Sequence, residues 1–139
     1  MPEKHTVEAV DGLPALVLTV SDGVVAGTRE DRSGPVVAER LTSMGFEVRG
    51  EVVADEPDHI ARIVAAASDS GTRLIVTSGG TGLGPRDRTP EGVRSVVDYT
   101  VPGFGEAMRA EGRTHTPLAS LSRSFAAVRG QTLIICVPG

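Results

Sequence analysis

The run ALVLTV, from Ala15 to Val20, stands between Gly12-Leu13-Pro14 and Ser21-Asp22-Gly23. An uninterrupted apolar run bounded by turn residues is the pattern of a strand covered on both faces, as in parallel sheets. The period then changes. RSGPVVAERLTSMGF places Val36, Val37, Arg40 and Leu41 at helical spacing, with Ser33 at the N-cap position, proline in the first turn and Gly45 at the stop. EVRGEVVA reads as a second strand, interrupted by Gly50. In PDHIARIVAAASDSG, residues Ile60, Ile63, Val64 and Ala67 share one helix face and Gly71 ends it. RLIVTS is a third strand. TPEGVRSVVDY predicts a helix with Thr89 as N-cap, Pro90 first and an acid in the first turn. VPGFGEAMRAEG and LASLSRSFAAV predict two more helices, and QTLIICV a fourth buried strand.

Strands and helices alternate without a Pro-rich linker, repeat or low-complexity tract. Short crossovers between apolar strands predict a single α/β domain over residues 1–139, its mostly parallel sheet covered by helices on both faces. Ligands in such sheets sit beyond the carboxyl ends of strands, at helix N-termini. Three stretches fall there: Ser21 to Gly34, Ala54 to Asp58, and Ser78 to Glu91.

Composition narrows the options. The 139 residues are 40% hydrophobic and 23% charged, and the net charge is −4. Phosphate binding must therefore come from local groups rather than from a basic field, and neither nucleic acid nor a membrane is an expected partner. Lys4 is the only lysine among 14 basic residues. With one cysteine, Cys136, no internal disulfide is possible. A reducing compartment fits, and the N-terminus lacks the apolar core of a signal peptide, so a cytoplasmic location is expected. His5, His59 and His115 are scattered and pair with no cysteine cluster, which argues against zinc. His59 reads as a solvated helix residue and Cys136 as a small core residue.

The stretch SGGTGLGPRDRTPEG, directly after the third strand, holds the densest candidate chemistry. Gly79, Gly80, Gly82 and Gly84 remove Cβ atoms where a ligand could approach the main chain, and consecutive N–H groups there can form an anion nest. Ser78 and Thr81 add hydroxyls, and the helix starting near Thr89 points its positive end at the same place. The spacing is neither that of a Walker loop nor of the dinucleotide motif. A tight turn used only for packing is the competing account; Arg86, Asp87, Arg88, Thr89 and Glu91 beside the glycines favour a site. Asp55 and Asp87, at neighbouring strand ends, could hold Mg²⁺. Alternatively Asp55 caps the helix at Glu56-Pro57, and Asp87 pairs at the surface with Arg86 or Arg88. Ser21-Asp22 and Asp31-x-Ser33-Gly34 fit either caps or a site.

Taken in order, TVSDG, DRSGP, TSGGTGLGPRDRTPE, GFGEAMR, LSR and QTLIICVPG resemble the molybdopterin-binding domain of molybdenum-cofactor biosynthesis, of the MogA/MoaB type related to the G domain of gephyrin. The resemblance covers about Ala15 to Gly139, and its most specific block is Gly-Gly-Thr-Gly…Arg-Asp-x-Thr-Pro-Glu. It implies a three-layer α/β/α fold of the molybdopterin-binding-domain type and a homotrimer. It also implies adenylylation of molybdopterin by ATP with Mg²⁺, before a MoeA-type partner inserts molybdate. A MoaB-type carrier that binds molybdopterin without adenylylating it is the alternative. By this resemblance Asp55 and Asp87 are the metal-binding and catalytic acids. Ser78, Gly79, Gly80, Thr81, Gly82, Arg86, Thr89 and Glu91 belong to the phosphate-binding block, and Ser21, Asp22, Ser33, Ser122 and Arg123 match positions near the groove. A further turn and a final helix are expected after Val137-Pro138-Gly139.

Overall fold

The computed structural model describes residues 10–139; Lys4 and His5 lie outside the described residues. Along the chain run β1 (Pro14–Val20), a single turn α1 (Asp22–Val25), α2 (Ser33–Ser43), β2 (Glu47–Val53), α3 (Pro57–Asp69), β3 (Leu74–Ser78) and α4 (Thr89–Arg94). There follow β4 (Tyr99–Thr100), α5 (Pro102–Gly112), a 3₁₀ turn (Pro117–Leu121), β5 (Phe125–Arg129) and β6 (Thr132–Val137). The strands form one sheet in the order β2-β1-β3-β6-β5-β4. The first four of these are mutually parallel, and β5 runs antiparallel to both of its neighbours.

The apolar runs do what their pattern predicts. In β1, Leu16, Leu18 and Val20 face a core shared with Ile60 and Val64 of α3, Val93 of α4, and Ile75 and Ile134. Ala15 and Val17 face the opposite side, where Leu41, Val37 and Ala38 of α2 pack with Leu74 and Val76. Each large aliphatic buried this way contributes about 1.5–3 kcal/mol. β2 is the parallel edge: only Val53 at its C-terminal end is buried. Helix stops follow the sequence signals, because Gly45 and Gly71 take φ of +106° and +101° directly after α2 and α3.

Two expectations are corrected. LASLSRSFAAV is not a helix but the 3₁₀ turn followed by β5. Leu118, Leu121, Phe125 and Val128 recur at intervals of three, four and three, which imitates an amphipathic helix. The hairpin wins because Gly130, at φ +55°, lets Phe125–Arg129 pair back onto β6. This strand and the short β4 extend the expected four strands to six. Helix caps also differ. Ser33 and Thr89 are the first residues of α2 and α4 and neither caps through its side chain. At α2 the Asp31 carboxylate accepts the Gly34 N–H at 3.0 Å.

Candidate functional site

The parallel strands β1, β2 and β3 end on the same edge, and their following loops enclose an open cleft of about 1240 Å³. Its floor is Val20, Ser78 and Gly79; its walls include the segment after β1, Asp55 after β2, the glycine loop after β3, and Leu118, Leu121 and Ser122. Pro138 and Gly139 also line it.

Ion pairs tie the three loops together. Arg86 Nε and Nη2 donate to the two carboxylate oxygens of Asp22, each at 3.0 Å, and its Nη1 meets Glu56 at 2.9 Å. Asp22 also accepts the Asp55 N–H at 3.0 Å. The Arg86 hydrogen bonds, then the Asp55 amide, hold the Asp22 carboxyl below the usual carboxylate range. Arg86 is correspondingly held even more firmly protonated, first by Asp22 and then by Glu56.

The glycine loop has an ordered division between acceptors and donors. Thr89 Oγ1 donates to the Gly79 carbonyl at 2.9 Å and Thr89 N–H to the Gly80 carbonyl at 3.1 Å. The Arg123 N–H donates to the Thr81 carbonyl at 2.8 Å, its Nε to the Gly82 carbonyl at 2.9 Å and its Nη2 to the Asp87 carbonyl. Those carbonyls are therefore taken. The N–H groups of Gly80, Thr81, Gly82 and Leu83 form no hydrogen bond among the described residues, and all four residues line the cleft. Four adjacent unsatisfied donors form a backbone nest for an anion.

Two acids flank this nest. Asp55 is 6% exposed and accepts the Arg88 N–H at 3.0 Å. Burial pushes its carboxyl up, with the charges of Asp87 and Asp22 adding to it, while the Arg88 amide opposes the rise. Asp87 accepts the Gly84 N–H at 2.9 Å. The local readings of both acids are overturned: Asp55 makes no cap at Glu56-Pro57, and Asp87 pairs with neither Arg86 nor Arg88. Among the described residues no group of three or more His, Cys, Asp or Glu side chains could hold a metal ion alone. Two carboxylates beside a nest do fit Mg²⁺, which keeps waters and phosphate oxygens as its remaining ligands.

Of the residues singled out from sequence, Ser21, Asp22, Ser33, Asp55, Ser78, Gly79, Gly80, Thr81, Gly82, Arg86, Asp87 and Ser122 all line the cleft. Several have structural work there. Ser21 Oγ caps α1 by accepting the Val24 N–H, Ser78 Oγ donates to Ser33 Oγ at 2.7 Å, and Ser122 pairs with Ser124. Thr89, Glu91 and Arg123 are not in the lining; they sit behind the loop. Gly80 lines the cleft with its main chain, but its Cβ position points into the scaffold. At φ +71°, a Cβ there would lie 2.1 Å from Thr89 Oγ1 and 2.8 Å from Asp55 Oδ2. Its missing side chain makes room for the scaffold. Sequence reasoning missed Glu56, which carries no motif signal, and the exposed Leu83, Leu118 and Leu121 on the cleft wall. Cys136 is buried, and burial pushes its thiol up to about 12; His59 is an exposed helix residue.

The sequence profile of the family described as "Probable molybdopterin binding domain" matches residues 16–139. A molybdenum cofactor biosynthesis bifunctional protein of Synechococcus elongatus is 43% identical over 139 residues, covering 99% of this chain and 44% of its own. The chain thus spans less than half of that relative. A molybdopterin adenylyltransferase of Helicobacter pylori is 40% identical over 127 residues, covering 88% of this chain and 72% of its own. Among solved structures, the molybdopterin biosynthesis enzyme MoaB of Thermus thermophilus superposes with a TM-score of 0.80 at 46% identity, covering 91% of this chain and 81% of its own. With the family match over nearly the whole chain and the fold in agreement, this chain belongs to the molybdopterin-binding domain family of molybdenum-cofactor biosynthesis.

Proposed function

We propose that the chain adenylylates molybdopterin: a molybdopterin phosphate oxygen attacks the α-phosphorus of ATP, the bond to the bridging oxygen breaks, and pyrophosphate leaves. The observation that carries this reading is the row of four free N–H donors from Gly80 to Leu83 beside Asp55 and Asp87. Phosphoryl-type transfer asks for alignment and charge neutralisation more than covalent help from the protein. The nest binds phosphate oxygens without moving, since its carbonyls are already held behind it. The wall of Leu83, Leu118 and Leu121 offers apolar contact to a planar ring. Asp55 and Asp87 would hold Mg²⁺, which supplies charge neutralisation on the phosphates. The remaining parts of the reading are a single domain over 1–139, a homotrimer, a cytoplasmic location and hand-over of the product to a MoeA-type partner. Among the described residues no helix is long and apolar enough to cross a membrane.

The second reading, a MoaB-type molybdopterin carrier without transferase activity, also fits the likeness to MoaB at 46% identity. Incubation with molybdopterin and MgATP separates the two: adenylyl-molybdopterin and pyrophosphate appear if the chain is the transferase. Molybdopterin binding without either product leaves the carrier. Light scattering tests the trimer, and a monomer at micromolar concentration refutes it.

A further inference from the structure

We propose that Arg123 is the positioning residue of the nest, a role that rests on the reading of this loop as a phosphate cradle. Arg123 lies between the 3₁₀ turn and β5, more than thirty residues from the loop it touches. It is outside the cleft lining. Its Nε holds the Gly82 carbonyl, its Nη2 the Asp87 carbonyl, and its own N–H the Thr81 carbonyl. Its Nη1 is paired with Glu91, at the start of α4. The planar fork of a guanidinium can serve several acceptors in fixed directions at once, which a lysine ammonium on its flexible stem cannot reproduce.

The consequence follows from the trans peptide. In a planar trans peptide the C=O of one residue and the N–H of the next point in opposite directions. Drawing the Thr81 and Gly82 carbonyls onto Arg123 therefore turns the N–H groups of Gly82 and Leu83 away from it, toward the cleft. Drawing the Asp87 carbonyl back likewise directs the Arg88 N–H to Asp55, where it is found at 3.0 Å. Thr89 performs the same operation on the other half: it holds the carbonyls of Gly79 and Gly80, which turns the N–H groups of Gly80 and Thr81. The nest thus has two halves with separate supports. Arg123 governs one half and the amide bound by Asp55, and acts on the ligand only through them.

The test is amide NMR with inorganic pyrophosphate and Mg²⁺ as the probe, on the parent chain, Arg123→Lys and the milder Glu91→Gln. In the parent, the amides of Gly80 to Leu83 respond to pyrophosphate while the Arg123 Nε–H signal stays still. In Arg123→Lys, pyrophosphate binds about tenfold more weakly or worse. The Leu83 response vanishes, because the Gly82 carbonyl loses its guanidinium donor. Those of Gly80, Thr81 and Gly82 persist, the carbonyl before Gly82 being held by the main-chain N–H of residue 123. Glu91→Gln shows the same selective pattern in weaker form. A general structural role would dim all four amides together, and that result overturns the proposal, as does parent-like binding by Arg123→Lys. A large pyrophosphate-induced shift at Arg123 Nε–H would make it a direct ligand and also overturn it. Ligand-free spectra separate this claim from the phosphate reading. The Gly82 and Asp87 carbonyl signals must move in Arg123→Lys while Gly79 and Gly80 hold still; if they do not move, the proposal fails. If they move but the parent does not respond to pyrophosphate, the positioning role stands and the phosphate reading falls.

Discussion

Replacing Gly80 with alanine tests whether the nest is braced from behind. Two glycines at nearly the same φ make the comparison useful: Gly80 at +71° and Gly27 at +76°. At Gly27 an added Cβ meets nothing within 4 Å. There alanine costs only the left-handed strain of about 1–2 kcal/mol, reduced by about 0.5–1 kcal/mol from the stiffer unfolded chain. At Gly80 the same Cβ lands 2.1 Å from Thr89 Oγ1, 2.8 Å from Asp55 Oδ2 and 3.1 Å from Thr89 Cβ. Thr89 is fully buried and its hydroxyl is committed to the Gly79 carbonyl, so it cannot step aside without losing that bond. Overpacking adds about 1–3 kcal/mol and the lost hydrogen bond about 1 kcal/mol more. Gly80→Ala should therefore be about 2–4 kcal/mol less stable than Gly27→Ala. Against the typical total of about 5–15 kcal/mol that is a large share. Urea unfolding of both variants measures the difference through the midpoint at constant slope. The Gly80 variant should also lose pyrophosphate affinity, because moving Thr89 releases two carbonyls of the loop. Equal midpoints for the two variants would show that Thr89 and Asp55 yield freely, and the braced-loop account would be wrong.

Thr89→Val removes the hydroxyl bonded to Gly79 while keeping shape, and should cost about 1–3 kcal/mol in the same unfolding assay because a buried carbonyl loses its donor. Asp87→Asn should leave molybdopterin binding close to the parent and reduce adenylyl transfer by orders of magnitude, read as product formed in excess MgATP; an active variant removes the metal role from this residue. Asp55→Asn should abolish transfer yet be as stable as the parent or more so at neutral pH. The fold raises the Asp55 pKa chiefly by burial, so the ionised form costs stability above that raised value. The cost fades as pH falls through it toward the ordinary carboxylate value, and thermal midpoints of variant and parent should converge there; a variant less stable than the parent at neutral pH contradicts the sign.

The parts of this molecule legible in its sequence are those written in short-range patterns. Unbroken apolar runs announced β1, β3 and β6, and both faces of β1 and β3 are indeed covered; β2, broken by Gly50 and exposed along most of its length, was legible only as a weaker strand pattern. The stops at Gly45 and Gly71 were legible because a left-handed residue after a helix has one cheap solution. The β5 hairpin was not, because its leucine and phenylalanine spacing suits a helix equally well and only pairing with β6 decides between them. The same limit applies to the site. The glycines, Asp55 and Asp87 stand out by type and position. The tasks of Thr89 and Arg123 depend on which carbonyls they reach across ten to about forty residues of chain, and that of Glu91 on the Arg123 guanidinium it accepts from; no local motif encodes those partners. Asp31 took the capping task from Ser33 for a similar reason: Ser33 is engaged by Ser78 from another strand end.

The charge around the nest explains why a divalent cation belongs in the functional reading. The four amides are neutral donors, and among the cleft residues the carboxylates of Asp87 and Asp22 both stand close enough to Asp55 to add to the upward push that burial gives its carboxyl. Arg86, the cation between the three loops, is already held by Asp22 and Glu56. On the proposed reading, a polyphosphate entering here would gain hydrogen bonds from the amides but would approach carboxylates whose repulsion is incompletely screened at such short range. On that reading, a divalent cation held by Asp55 and Asp87 would offset that repulsion and would return the Asp55 carboxyl toward its ordinary ionised state. The buried carboxylate with its raised pKa and the row of donors without protein acceptors are, on the same proposed reading, two halves of one site: the cation would meet the first and the phosphate oxygens the second.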